Sequence, residues 1–342
     1  MKENRNKYFV QQFLQEEYKH GGVGGTDAEK VLLSLGYSPI AFPHHHSFSF
    51  GAKVGRLIFL LKLLLTLPKN STVVFLFPVY ASAIKFLLKI LSKKKSVKCI
   101  CFIMDINGLK DGDEKVLEEE IEFLNRFNFF IVHNESMQRW LNEHVKKDTV
   151  SANVEFFDFP ANSSGQTRKP SPEIVFAGNL EKSGFLKNLP LLATSQPTLK
   201  FNLYGPGMFS IDESFTNVRH LGIFPPHELP EKLVGSFGLV WDGDSVEQPS
   251  ASLGHYMQYI THHKVSLYIL SGLPIIIAAS AGAAPLVLKY GIGVTVNSLF
   301  DIESAINKIT EDDYKKMREN MKPIAERISS GAGLSKALAD LE

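Results

Sequence analysis

The sequence predicts an α/β protein built from two doubly wound domains in series. Short apolar runs rich in β-branched and aromatic residues alternate with longer helical patterns. A polar, turn-rich segment at 161–172 interrupts this series once and reads as a linker. The length of 342 residues also suits two domains. We place one domain at 1–165, which the C-terminal helix at 325–342 could complete, and the other at 170–325.

The alternation defines the elements of the two domains in order. In the first half, the predicted strands are 38–42, 72–77, 97–103 and 129–133, and the predicted helices are 26–35, 57–67, 81–92, 113–127 and 135–143. Thr26 is expected to cap the first helix, because Glu29 three residues later completes a capping box. In the second half, the predicted strands are 173–177, 199–204, 218–222, 237–241, 274–278 and 293–296, and the predicted helices are 228–235, 261–270, 283–290, 302–309 and 311–329.

Composition limits the class of partner and the compartment. The formal net charge of +1 argues against nucleic acid, which would require a clear basic excess. Cys99 and Cys101 share one face of a predicted strand and are too close to form a bridge, so a cytoplasmic location is expected. The apolar runs 57–67 and 81–91 are shorter than the roughly 20 residues that span a bilayer. Both runs carry basic residues. A buried helix with a solvated basic edge is the commoner explanation, and peripheral contact with the inner face of a membrane is the alternative.

Ligands of doubly wound sheets bind beyond the carboxyl ends of the strands, which predicts a cleft between the two domains. Three residues in the loop after 173–177 fit such a site. Gly178 allows a tight turn, Asn179 offers an amide, and Lys182 can reach a phosphate. The alternative, weighted equally, is an ordinary turn with a solvated lysine.

Three further residues of the second half are candidates. Phe224 either stacks on a nucleotide base or belongs to the core. Asp242 follows a strand and either hydrogen-bonds sugar hydroxyls or caps a turn, because too few carboxylates lie nearby for a metal. Lys264 begins a predicted helix, where backbone N–H groups and a cation together favour phosphate. The adjacent His262 and His263 diverge by about 100° on a helix and do not predict a metal site.

The first half offers two weaker candidates. The glycine-rich segment 21–26 precedes a helix and either lines the cleft or is a plain flexible loop; it matches no nucleotide fingerprint. Asp105 follows the strand 97–103 and is either a general base for an acceptor hydroxyl or a turn residue. The histidines at 44–46 are interpreted as solvated loop.

Three runs resemble a known bacterial family: Gly238–Asp244, His263–Ile276 and Tyr290–Gly293. They are similar to the GT-B β-1,6-galactofuranosyltransferases and to the glucosyltransferases that extend the O-glycan of streptococcal serine-rich adhesins. The resemblance is strongest over 173–300. It implies a GT-B fold, in which two Rossmann-like domains face each other across a cleft.

The resemblance also implies a function. The enzyme would move a hexose, galactofuranose or glucose, from a UDP-sugar to a lipid-linked or protein-linked glycan acceptor in polysaccharide biosynthesis. The second domain would hold the donor, with Lys264 and Lys182 on the diphosphate and Phe224 near the base. Thr26 would approach the donor from the first domain. Met104 stands where the family has His, and Lys182 replaces an Arg and loses bidentate contact.

Inversion is expected at the anomeric carbon. The Glu-x7-Glu arrangement of many retaining GT-B enzymes is missing, because Ala281–Pro285 occupies the stretch of its first acidic residue. Lys264, Lys182 and helix N–H groups would stabilise the leaving UDP without a metal, and no cofactor beyond the UDP-sugar is expected.

The sequence leaves open whether the chain forms a homo-oligomer. The alternatives are a catalytically idle GT-B-like binding or assembly subunit and a two-domain epimerase.

Overall fold

The structure, a computed structural model, describes residues 6–13, 22–43, 47, 49–145, 148–207 and 215–342. These residues form two compact units. The first unit runs to Val132 and also contains 138–153 and 334–342, whereas the second contains 133–137 and 154–333. The tract of three histidines at 44–46, the glycine at 21 and residues 208–214 lie outside the described residues.

The first unit is built on a six-stranded parallel sheet with the order β2-β1-β3-β4-β5-β6. Its strands are β1 (Lys7–Val10), β2 (Ser38–Ile40), β3 (Ser71–Phe77), β4 (Val97–Ile103), β5 (Phe129–Val132) and β6 (Val150–Asn153). The predicted strands are all present. The sequence did not predict β1 or β6, because each has only four residues and β1 lies in a polar N-terminal stretch. In the sheet, β1 is nevertheless an interior strand, paired with the edge strand β2 on one side and with β3 on the other.

Helices connect these strands. They are α1 (Val23–Ser34), α2 (Phe50–Thr66), α3 (Ser82–Leu91), α4 (Asn107–Asp111), α5 (Glu114–Leu124), α6 (Glu135–His144) and the C-terminal α14 (Ala332–Asp340). β3 and β4 are buried for almost their whole length, as expected of strands covered on both faces. Cys99 and Cys101 are buried free thiols on β4, and burial raises the pKa of Cys99 to about 12.

The predicted cap of α1 is wrong. The helix begins at Val23 after Gly22, and no side chain caps it. Thr26 instead lies in the first turns, where its N–H donates to the Gly22 carbonyl at 2.9 Å. Glu29 is fully buried and accepts the N–H groups of Gln12 at 2.5 Å and Phe13 at 3.0 Å. Its carboxylate therefore binds the chain that leaves β1, and residues 23–26 of the glycine-rich segment form helix instead of loop.

The start of α2 also differs from prediction. The sequence places this helix at 57–67, whereas α2 begins at Phe50. Ser49 caps it, accepting the Ala52 N–H at 3.3 Å. The polar and glycine residues before Leu57 hid this beginning, although a serine is a favoured N-cap.

The second unit has its own six-stranded parallel sheet, in the order β12-β11-β10-β7-β8-β9. Its strands are β7 (Glu173–Ala177), β8 (Lys200–Tyr204), β9 (Val218–His220), β10 (Phe237–Val240), β11 (Ile275–Ala278) and β12 (Gly293–Val296). Its helices are α7 (Leu189–Ser195), α8 (Leu229–Lys232), α9 (Ala251–Tyr256), α10 (His263–Ser271), α11 (Ala284–Lys289), α12 (Ile302–Ile306) and α13 (Glu311–Ser329). The strand order reverses between β7 and β10, which makes this pair the topological switch point.

The segment predicted as a linker belongs to the second unit, which begins at Val154. Its Arg168 guanidinium donates to three backbone carbonyls, those of Leu233 at 2.8 Å, Gly235 at 2.6 Å and Ser271 at 3.0 Å. The polar, turn-forming composition of the segment suggested a spacer. The hydrogen bonds from its Arg168 to distant parts of the chain instead anchor the segment to the second unit. Among the described residues, no helix is both long enough and apolar enough to cross a membrane.

Candidate functional site

A buried tyrosine bridges the two strands β7 and β10 at the switch point of the second unit. β7 and β10 pair only at their beginnings, through Phe237 with Ile174 and Gly238 with Val175. Beyond that pairing, the Tyr268 hydroxyl accepts the Ala177 N–H at 3.0 Å and donates to the Leu239 carbonyl at 3.1 Å. The hydroxyl thus satisfies backbone groups that would otherwise be unpaired where the strands separate.

A compact charged cluster lies at the carboxyl ends of these two strands. Asp242, just after β10, accepts a hydrogen bond from His262 Nε2 at 2.8 Å and lies 3.4 Å from Lys264 Nζ. The Lys264 ammonium is also 4.3 Å from the ring centroid of Phe176 on β7, a cation–π distance. Lys264 lies in the first turn of α10, so the sheet, the helix and the aromatic ring jointly fix its amine.

The electrostatics of the cluster are set by its burial. The side chains of His262, Lys264 and Asp242 are 9, 14 and 19% exposed. Burial alone would raise the pKa of Asp242, but the charge of Lys264 and the hydrogen bond from His262 outweigh it and lower that pKa to about 2. Asp242 is therefore ionised at neutral pH, and its carboxylate lies beside the Lys264 amine at the switch point.

α10 begins beside this amine without a capping side chain. Its N-cap residue, His262, makes no side-chain bond to the helix. The first backbone N–H groups of a helix point outward and carry partial positive charge, which favours an anion. The lysine and the uncapped start of α10 thus belong to the same helix turn, and both are features that favour a phosphate group.

The predicted turn residues after β7 lie at the same edge of the sheet. The Gly178 N–H donates to the Tyr204 carbonyl at 2.9 Å, which joins the ends of β7 and β8. A Cβ on Gly178 would lie 3.9 Å from Lys264 Nζ, so this backbone and the amine are neighbours. Asn179 accepts the Lys182 N–H at 3.1 Å and thereby shapes the turn, while the Lys182 side chain is exposed.

Phe224 lies beyond the ends of β8 and β9. It is half-buried, and its ring centroid is 6.3 Å from that of Tyr204. The Gly205 N–H donates to the Gly222 carbonyl at 3.0 Å. Gly205 has a φ of +128°, and a Cβ there would lie 1.8 Å from the Gly178 carbonyl oxygen, so only glycine fits. The ends of β7, β8 and β9 therefore form one continuous edge that carries Gly178 and Phe224.

Asp105 lies in the first unit, after β4. Its carboxylate pairs with Lys110 Nζ at 2.9 Å, and both side chains are about one-third exposed. Burial alone would lower the pKa of Lys110, but the charge and hydrogen bond of Asp105 outweigh it and raise that pKa. Behind them, Glu120 is buried and accepts the N–H groups of Asn107 and Gly108, so it holds the start of α4.

The structure thus brings Gly178, Asp242 and Lys264 together directly, and places Asn179, Lys182 and Phe224 at the same edge of one sheet. Thr26 and Asp105 belong to the other unit, and their contacts with substrate stay predictions. His262 and Tyr268 were not predicted as site residues. Their position at the helix after β10 was visible in the sequence, but no local pattern signals a hydrogen bond to a residue that lies between 20 and 91 positions away. Among the described residues, no three metal-binding side chains cluster.

Comparison with known proteins gives a consistent result for both units. Residues 7–154 match the family model "Glucosyltransferase 3-like, N-terminal domain", and residues 174–341 match the corresponding C-terminal domain model. The β-1,6-galactofuranosyltransferase WbbI of Escherichia coli is 29% identical over 294 residues, covering 83% of each chain. Glucosyltransferase 3 of Streptococcus gordonii is 24% identical over 324 residues, covering 93% of this chain and 92% of that one.

Solved structures with the same architecture are more distant in sequence. Sucrose-phosphate synthase from Thermosynechococcus elongatus aligns with a TM-score of 0.66 at 12% identity, over 98% of both chains. Anabaena HepE, solved in complex with UDP and glucose, aligns with a TM-score of 0.62 at 13% identity, again over 98% of both chains. At such identities the likeness concerns the fold, which is the two-domain GT-B α/β fold.

Proposed function

This chain belongs to the glucosyltransferase 3-like family, and from that premise we propose that it transfers a hexose from a UDP-sugar to a hydroxyl of a glycan acceptor. The relatives named galactofuranosyltransferase and glucosyltransferase 3 support a hexose donor. One observation carries the proposal within this chain: the Lys264 amine, held by Asp242, lies at the switch point beside the start of α10.

The second unit is proposed to hold the donor. Lys264 has three donors, of which Asp242 uses one, so the others are available to a diphosphate. The α10 N–H groups add to this charge. Lys182 is exposed on the Asn179 turn and is proposed as a second, weaker phosphate contact, while Phe224 offers a half-buried ring for a base.

The reaction is proposed to proceed with inversion and without a metal. The acceptor oxygen would attack the anomeric carbon as its proton passes to the Asp105 carboxylate. The bond from that carbon to the UDP oxygen breaks, and the electron pair leaves with UDP. The charge of Lys264 then stabilises the diphosphate. Lys110 Nζ pairs with Asp105 at 2.9 Å and holds this carboxylate in place. The acceptor glycan is proposed to be lipid-linked or protein-linked.

Titration calorimetry of UDP tests the donor site. Lys264→Gln keeps a donor for Asp242 but removes the charge, and a hydrogen bond to a charged group contributes about 1.5–3 kcal/mol. We therefore expect UDP to bind about 10- to 100-fold more weakly to this variant. The matched control is Lys308→Gln, a change at an exposed lysine just after α12. This variant should bind UDP as the wild type does. A wild-type protein that binds no UDP, or an unaffected Lys264→Gln variant, would contradict the proposal.

A donor screen with mass detection of released UDP tests turnover. UDP-galactofuranose and UDP-glucose are the first donors, each with candidate glycan acceptors. The anomeric configuration of the product, read by NMR, reports inversion directly, and retention would overturn that part of the proposal. Activity that persists after exhaustive chelation supports metal independence. If UDP binds but no donor is hydrolysed or transferred, the chain is an idle binding subunit.

A further inference from the structure

Helix α2 is apolar on two different faces. Ala52 and Leu60 are buried and hold the helix against its unit. A second set of apolar side chains is exposed on the same helix: Phe50, Val54, Leu57, Ile58, Leu61 and Leu65. At about 100° per residue, these six positions fall in one stripe roughly 100° wide, turned away from Ala52 and Leu60.

One apolar face is enough for a helix on the surface of a globular domain. The second stripe is strongly exposed, with Leu65 88% and Phe50 84% accessible. Isolated exposed apolar residues need no explanation, but a contiguous apolar patch of this kind marks an interaction surface. We call these six residues the α2 stripe.

The stretch of sequence that contains the α2 stripe carries charged residues of one sign only. Residues 30–104 contain eleven Lys and Arg and no Asp or Glu, in a chain whose formal net charge is only +1. Lys53 and Lys62 are exposed and lie on opposite sides of the stripe, each about 90° from its centre. On α3, which packs against α2, Lys85, Phe86 and Lys89 are exposed as well.

We propose that the α2 stripe binds the surface of an anionic lipid bilayer. The helix would lie in the plane of the membrane, with the stripe at the boundary between headgroups and acyl chains. Lys53 and Lys62 would extend sideways to the phosphates. At 17 residues α2 is shorter than a spanning helix of roughly 20, which is consistent with lying on the membrane. The eleven basic and no acidic residues of 30–104, the stretch that contains the stripe, favour an anionic lipid surface over a neutral apolar one.

Co-sedimentation of the full chain with vesicles tests this proposal without any sugar donor, so its failure is distinct from a failure of the donor site. We expect binding to phosphatidylcholine vesicles that contain phosphatidylglycerol, and much weaker binding to phosphatidylcholine alone. Binding to the anionic vesicles should weaken as salt is added. Lys53→Gln combined with Lys62→Gln should reduce binding about 30-fold, at about fivefold per lysine.

The apolar contribution has its own matched pair of variants. Leu61→Ser combined with Leu65→Ser should reduce vesicle binding by about tenfold or more, because two exposed leucines no longer enter the bilayer. Leu191→Ser combined with Leu288→Ser is the control, since these leucines of α7 and α11 are also exposed, 59% and 56%, close to the 54% of Leu61. The control should bind vesicles as wild type does.

Three results would overturn the proposal. The first is a wild-type chain that does not sediment with anionic vesicles. The second is equal loss of binding in the stripe variant and its control. The third comes from light scattering without lipid: if the stripe variant dissociates an oligomer that the control retains, a second copy of this chain covers the stripe instead of a membrane.

Discussion

Replacing Asp242 by Asn should lower the stability of the second unit in a pH-dependent way. The substitution keeps the size of the side chain but removes the negative charge, and it replaces one of the two carboxylate oxygens that face His262 and Lys264 with an NH2 donor. Because Asp242 is only 19% exposed, the lost charge is poorly replaced by solvent.

The magnitude follows from the pKa. The folded protein lowers the pKa of Asp242 from 3.8 to about 2. At about 1.4 kcal/mol per pH unit, this difference corresponds to about 2 kcal/mol of folding free energy. The pKa is depressed in the folded state, so this stability is fully present above pH 3.8 and is lost as the pH falls through about 2. About half of it should remain near pH 3.

Urea unfolding followed by tryptophan fluorescence measures this effect. Trp241 is fully buried next to Asp242, and in a Trp140→Phe background it alone reports on the second unit. At pH 7 the Asp242→Asn variant should be about 2 kcal/mol less stable than its parent, and the gap should narrow to about 1 kcal/mol at pH 3. Glu247→Gln, at an exposed carboxylate of the same loop, should show no such gap. A gap of equal size at pH 7 and pH 3, or none at pH 7, would refute the reasoning.

Three further predictions concern the same framework and the proposed base. Tyr268→Phe removes the hydroxyl that bonds Ala177 and Leu239, and should destabilise the second unit by about 1–3 kcal/mol in urea unfolding; a change below about 0.5 kcal/mol would show that the bridge contributes little. Gly238→Ala should also cost about 1–3 kcal/mol, because its Cβ would lie 2.3 Å from the Tyr268 ring, whereas Gly165→Ala, with no atom within 4 Å of its Cβ, should be nearly neutral. Asp105→Asn should reduce sugar transfer by about 100-fold or more in a UDP-release assay while leaving UDP affinity unchanged, and full activity would exclude Asp105 as the base.

Much of the fold was predictable because it depends on local pattern. Buried parallel strands read as continuous apolar runs, and the ten predicted strands are all present in the two sheets. The two strands that the sequence did not predict, β1 and β6, have four residues each, which is too few for a periodic signal. Sequence order also does not state which strands are neighbours. The interior position of β1, between β2 and β3, comes from backbone pairing alone.

The sequence by itself determined the chemistry available at the carboxyl edge of the second sheet: a lysine at a helix start, glycines after strands, and a carboxylate after β10. It could not determine what each group does, since that depends on partners far away in the chain. Only the tertiary structure showed that Asp242 is paired with His262 and Lys264, and that Glu29 supports the exit of β1 instead of a helix cap. Propensities and periodicities act over a few residues, whereas a buried charge is governed by whichever side chains the packed fold brings within hydrogen-bond distance.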